Sequence, residues 1–440
     1  MNVVLVKTDK SRTGSDLFTL ARARLPGTGK VAELRAQAFA TFERLGLPHR
    51  RVEEWKYTDL RALMRELLPL ADAPDAAALA RAKAALESVA VEGAIKLVLV
   101  DGVFAAELSD GAEAGISLQT LRDVLENEAS ESRAELLLTT STDPMISLNA
   151  ALATDGVVVG IADGVQLSRP LQLIHVATAG KASRYTRSHL QIGNGARVNL
   201  VETCVAAEGA SAYQANDTVI ISLGDDAALS HIRLMRDAND ATNITSVLFT
   251  VGANSKLNLF NMTSGGSLSR LQGFITLTGE DSELTINGVN LLRGKQHGDM
   301  TLVVDHAVPG CTSRENFRAV LDDRAHSVFQ GRIIVKPDAQ KTDGKMMTRA
   351  LLLSDEAEAD NKPELEIFAD DVSCGHGATS GALDESLLFY LRARGLPEKQ
   401  AQALLIQAFV GEAIEAIEDE SLRERVIDAA QAWLEARYHE

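Results

Sequence analysis

One motif returns with a locked phase through the middle of this chain. Ile192–Leu200, Leu223–His231, Val251–Leu259 and Thr278–Ile286 align without a gap. Each copy is a glycine, two turn-forming or polar positions and a small residue, followed by an alternating strand. The lead glycines Gly193, Gly224, Gly252 and Gly279 stand 31, 28 and 27 residues apart. A looser copy, Leu321–Phe329, follows after a longer interval. A near-constant period with the turn at one phase means that each unit is a rung stacked on the last. The glycine is expected to supply the positive φ of each corner, and the alternation turns one strand face inward. The fold class read from this pattern is mainly β with helical ends, built on a right-handed parallel β-helix (a β-solenoid). A β-sandwich is the competing arrangement, but its turns recur every ~8–12 residues and carry no phase-locked motif.

A solenoid also accommodates the length. At 440 residues the chain exceeds one ordinary compact domain, whereas a repeat core lengthens without thickening. Only 4% of residues are aromatic against 45% hydrophobic, so the core must come from Leu, Val, Ile and Ala. The formal charge of −17 disfavours nucleic acid or an anionic membrane surface as a partner, because both require clustered Lys and Arg. No stretch approaches the ~18 uncharged apolar residues of a membrane span, and Val3–Val6 is too short a run for a signal peptide. Cys204, Cys311 and Cys374 are far apart and form no CxxC, which argues against a disulfide framework or a zinc knuckle. The expected setting is reducing and cytoplasmic.

Helical texture brackets the repeats. Val31, Leu34, Ala38, Phe42 and Leu45 follow a helical spacing that Gly46 and Pro48 stop, and a second helix is expected over 76–90. Between them Glu53–Leu60 combines aromatic and charged residues and reads as a packing anchor. Ile95–Val100 reads as a strand ending at Asp101-Gly102, and 117–129 as a helix capped by Ser117. Further helices are expected over 384–394, from Pro397 and over 420–437; they would either cap the solenoid or offer an apolar groove to a partner. The domains are thus a helical region 1–94, a mixed α/β region 95–155, the β-helix 156–382 and a helical region 383–440.

The residues with chemistry gather in Asp370-Asp371-Val372-Ser373-Cys374-Gly375-His376. Cys374 and His376, two apart on an extended strand, face the same way. Thiolate and imidazole together suit zinc, copper or iron, but do not fill a tetrahedral site, so a metal here needs ligands from elsewhere. A buried thiol beside a hydrogen-bonded histidine, or a Cys–His nucleophile, are the other readings of the same residues. The remaining histidines are scattered and read as structural; Cys204 reads as a core thiol and Cys311 is undecided. There is no phosphate-binding G-x-x-x-x-G-K-[ST] loop.

Several segments in order carry a resemblance: Phe329–Ile333, Leu351–Ser354, Leu365–Val372, Cys374–Thr379 and Leu388–Gly395. Together they resemble the SufB/SufD family of the SUF iron–sulfur assembly machinery, and Glu54–Leu60 is similar to the SufD pattern within it. The resemblance implies a non-catalytic assembly subunit with a β-helix core. It further implies pairing with a SufB-like subunit or a second copy, and docking of SufC-type ATPases on the C-terminal helices, for which Leu387, Leu388, Phe389, Tyr390 and Phe409 are the candidate contacts. By the same resemblance His376, with Cys374 beside it, would hold iron or a nascent iron–sulfur cluster transiently at the subunit interface. A SufB-like scaffold acting alone and a β-solenoid enzyme such as a polysaccharide lyase are the alternative functions.

Overall fold

In the computed structural model, residues 16–127, 138 and 142–439 are described; residues 1–10, with the Val3–Val6 run, lie outside them. The chain enters through α1 (Gly29–Leu45) and α2 (Ala76–Leu86). Gly46, at φ +69°, closes α1 by donating to the Phe42 carbonyl, and the Asp75 carboxylate caps α2. β1 (Ile95–Val100) turns at Asp101-Gly102, both with positive φ, into the short β2 (Val103–Phe104). The helix expected from Ser117 starts later. Residues Ile116–Thr120 form β3 instead, and Thr120 caps α3 (Leu121–Glu126) by accepting from Asp123 N–H. The alternation Ile116-Ser-Leu118-Gln-Thr120 pairs antiparallel with the next strand, and that pairing overrides the cap reading of Ser117. α4 (Pro144–Leu152) follows, with Asp143 as its cap and every residue buried.

The solenoid then begins. Its first strands are β4 (Val157–Ile161), β5 (Leu171–Ala177), β6 (Ser183–Ile192), β7 (Arg197–Ala206), β8 (Gln214–Leu223) and β9 (Ala228–Arg236). It continues through β10 (Thr242–Val251), β11 (Lys256–Thr263), β12 (Leu268–Leu277), β13 (Glu283–Leu292) and β14 (His297–His306). The last strands are β15 (Thr312–Leu321), β16 (His326–Val335), β17 (Asp343–Leu352), β18 (Glu358–Ile367) and β19 (Ser373–Gly381). Even-numbered strands from β4 to β18 build one parallel sheet and odd-numbered strands from β5 to β19 the other, giving about eight turns. The register is continuous: Arg197, Ala228, Lys256, Glu283, Thr312, Asp343 and Ser373 all share one position. Inward positions such as Leu200, Leu229, Leu257, Leu284, Val251 and Leu277 form the main core. Burying each such side chain contributes roughly 1.5–3 kcal/mol.

The corner works differently from expectation. The positive φ falls two residues after each lead glycine, at Gly195, Asp226, Asn254 and Asp281. The lead glycines are needed for close approach. A Cβ on Gly193 would meet the Asp163 backbone N at 2.6 Å, and one on Gly279 the Ala253 N at 1.9 Å. A side-chain ladder locks the corners: Asn194 N–H donates to Asp163, Asp225 N–H to Asn194 and Ala253 N–H to Asp225, all at 2.8–2.9 Å.

The C-terminal helices are α5 (Glu385–Ala393), α6 (Glu398–Ile414) and α7 (Glu420–His439). Pro397 sits at the N-cap of α6 rather than inside its first turn. These helices do not cap the solenoid. Ile406, Val410, Ala413 and Ile414 pack on the outer face of the odd-numbered sheet, against Phe260, Met262, Val289 and Val320. The N-terminal helices cover the outer face of the other sheet through Phe39, Phe42, Trp55 and Leu148. Among the described residues both flanks are covered and the last rung is left open.

Candidate functional site

The open end carries the residues singled out in the sequence. β19 pairs with β17 alone, with Cys374 level with Gly344 and His376 level with Met346. Following the register inward gives two interior columns: Ser313, Gly344, Cys374 and Glu315, Met346, His376. Met346, Ser313 and Glu315 are buried. Cys374 is half-buried against the core and His376 is exposed. Thiol and imidazole therefore lie over the end of the apolar interior, as expected for i, i+2 on a strand.

The carboxylates of the motif do not join them. Asp370 is exposed, and Asp371 forms an ion pair with Lys341 while its N–H donates to Gln340 Oε1 at 2.9 Å. Gly375 is uncrowded, so no close backbone approach requires it; at Gly377 a Cβ would meet only the Met347 side chain. Among the described residues no three His, Cys, Asp or Glu side chains are placed to hold a metal ion. The donor set fits a borderline or soft metal in kind but not in number.

Around this end lies more unpartnered surface. Ile367 and Phe368 leave the last rung 41% and 61% exposed. On α5, Leu387, Phe389 and Tyr390 are exposed and Leu388 is half-buried. Phe389, Arg392, Leu396 and Pro397 border an open concavity of about 580 Å³ where α5 meets α6. Phe409 is not on that face: it packs against the solenoid flank beneath Arg318, whose guanidinium carbon is 4.9 Å from the ring centre.

The structure also shows an interior that the alternation pattern concealed. Glu202 accepts from Arg233 Nε and Nη2, both at 2.9 Å, and lies 3.2 Å from His231 Nε2. His175 sits between Glu202 and Asp217, and Arg184 pairs with Asp217 at 3.2 Å. Burial would raise the Glu202 carboxyl, yet Arg233 and His231 hold it well below the usual carboxylate range. Burial pushes the neighbouring Cys204 thiol well up, which makes it an inert core thiol. Cys311 is likewise buried, with its Sγ 3.2 Å from Ser282 Oγ. The available signal was spacing: Glu202 and Arg233 are one rung apart and in register.

The Glu53–Leu60 anchor binds the other flank. Trp55 is buried under Arg270, 3.8 Å from guanidinium carbon to ring centre, and donates to Asp143 at 3.0 Å. Arg270 pairs with Asp299, which also accepts from Thr58.

Comparison with known proteins agrees with this architecture. Residues 175–409 match the "SUF system FeS cluster assembly, SufBD core domain" family, and residues 15–173 match the "SufBD protein N-terminal region". The chain is 31% identical to the iron–sulfur cluster assembly protein SufD of Escherichia coli over 87% of its own length and 88% of that protein's. It is also 31% identical to a SufBD family protein of Synechocystis, over 87% and 86% of the two chains. A chloroplastic protein of Arabidopsis thaliana, ABCI7, is 28% identical over 73% and 68%. No helix among the described residues is long and apolar enough to cross a membrane. A solenoid of this register, ending in a Cys–Gly–His edge strand and matched along nearly its whole length, places the chain in the SufB/SufD family of iron–sulfur cluster assembly proteins, on its SufD side.

Proposed function

We propose that this chain is the non-catalytic SufD-type subunit of a cytoplasmic SUF scaffold, and that its last rung is half of an interface site for iron or a nascent iron–sulfur cluster. The observation that carries the reading is that His376 and Cys374 end two interior columns at the end of the solenoid that the described residues leave open. A SufB-type subunit, or a second copy, would continue the stack there and supply the missing ligands. The ATPase surface is α5 with the concavity at its end, where Leu387, Phe389 and Tyr390 are exposed with Leu388 beside them. Phe409 would act beneath that surface, fixing α6 to the solenoid. The test is His376→Ala. Folding and subunit association should stay intact while cluster formation on the complex falls; unchanged cluster formation would remove the metal role.

A further inference from the structure

Among the described residues Glu315 is the one interior carboxyl near the open end, and nothing balances it. It is 3% exposed, and neither carboxylate oxygen has a hydrogen-bond partner among the described residues. Ile286 and Met346 stand level with it on the two neighbouring strands. The facing interior positions of β14 and β16 are apolar, Met300, Leu302, Phe329 and Ile333 among them. The titratable group those strands add to the interior is His306, level with Leu277 and Val335, whose Nε2 lies 3.1 Å from Ser313 Oγ. Burial alone lifts the Glu315 carboxyl to about 8, so at neutral pH it is mostly protonated. An unpaired acid inside an apolar stack is costly for folding and has no packing advantage over Leu or Met at the same place.

Its position gives it a use. Glu315, Met346 and His376 share one interior column, so two rung spacings of ~4.8 Å put the carboxyl about 10 Å beneath the imidazole. Only the Met346 side chain intervenes in that column. We propose that Glu315 is the internal counter-charge for a metal cation held at the open end, neutral while no cation is there and ionised when one binds His376. This rests on the reading of His376 given above. As the metal–nitrogen bond forms, the Glu315 O–H bond breaks and the proton passes to bulk solvent. At an effective dielectric near 20, a dication about 10 Å away lowers the carboxyl pKa by roughly two. That is enough to release close to one proton per metal near pH 7, and loss of the carboxyl weakens binding roughly ten-fold.

The experiment uses the full-length chain in complex with its SufB-type subunit, with Co(II) as the probe. Binding is read from the visible d–d bands of cobalt, and the carboxyl from its protonated C=O stretch in infrared difference spectra. Glu315→Gln assigns the stretch by deleting it; Glu315→Asp, which keeps the acid and moves the band, assigns it if the Gln variant does not fold. The expected result is a protonated band at pH 7 that Co(II) removes in the wild type but not in His376→Ala. Absence of the band at pH 7, or cobalt bound with the band intact, overturns the counter-charge. Cobalt that fails to bind, or binds equally in His376→Ala, instead overturns the reading of His376 and the proposal with it.

Discussion

The two ends of the solenoid are finished in opposite ways. At the first end the parallel stack is turned back on itself, β2 pairing antiparallel with β1 and β3 with β4. Those edge strands are only two and five residues long. At the last end β18 and β19, ten and nine residues long, each have a neighbour on one side only. Pro363 lies within β18, a position that suits an edge strand but not a central one. The interior repeats the contrast: Glu202, Arg233 and His231 neutralise one another near the first end, whereas Glu315 near the last has no partner. Short antiparallel edges close a stack against further pairing; long parallel edges invite it. The first end closes on short antiparallel strands, and the last leaves two long parallel edges, the edges that the proposed function assigns to a second chain.

The largest effect should come from breaking the finished end. Glu202→Ala leaves the Arg233 guanidinium buried without its carboxylate, which is expected to cost about 3–5 kcal/mol. Glu364→Ala is the matched change at the open end, where Lys362 and Arg332 lie 3.2 and 3.8 Å away on a half-exposed face. It should cost no more than about 1 kcal/mol. Urea denaturation of both variants checks the contrast; equal losses would mean that the two ends are equally rigid.

A smaller effect is linked to pH. Glu315 has a folded pKa of about 8, above its unfolded value, so the native state binds the extra proton and stability falls as pH rises toward 8. The buried histidines act in the opposite sense. His297 and His306 are depressed by burial to about 4, so they lose stability only as pH falls below about 6.5. Between pH 6.5 and 8 the Glu315 effect therefore stands alone among these groups and amounts to about 2 kcal/mol. Stability of the wild type should decline across that window while Glu315→Gln stays flat. A wild-type curve that is flat or rising there would show that Glu315 is already ionised.

What the sequence disclosed follows the same division. The rung period was legible because an in-register stack must return to its corner at every turn, and close approach at Gly193 and Gly279 admits only glycine. The reason was misassigned, since positive φ belongs to Gly195, Asp226, Asn254 and Asp281, where Asp and Asn serve as well as Gly. The paired charges inside were hidden because strand alternation marks inward positions as apolar, yet Glu202 and Arg233 are spaced as Gly193 and Gly224 are. Cys374 and His376 could be named from the motif. Their place on the uncovered rung could not, because the apolar stripe of α6 does not say whether it covers an end or a flank.

The smallest effect on stability, and the sharpest on assembly, belongs to the apolar rim of the last rung. Phe368 is 61% exposed beside Ile367, so it contributes little to the core of its own chain. Phe368→Asp should change stability by no more than about 0.5 kcal/mol. If a second chain continues the stack, the same change places an unpaired carboxylate in a desolvated contact, which is expected to weaken association at least ten-fold. Phe389→Asp on α5 offers the control: it is 74% exposed but belongs to the surface proposed for the ATPase. Sedimentation of the complex should separate the two, Phe368→Asp releasing the SufB-type subunit or second copy and Phe389→Asp the ATPase. Loss of both partners from either variant would mean that the two surfaces are one, and retention of the solenoid partner by Phe368→Asp would place that partner somewhere other than the open end.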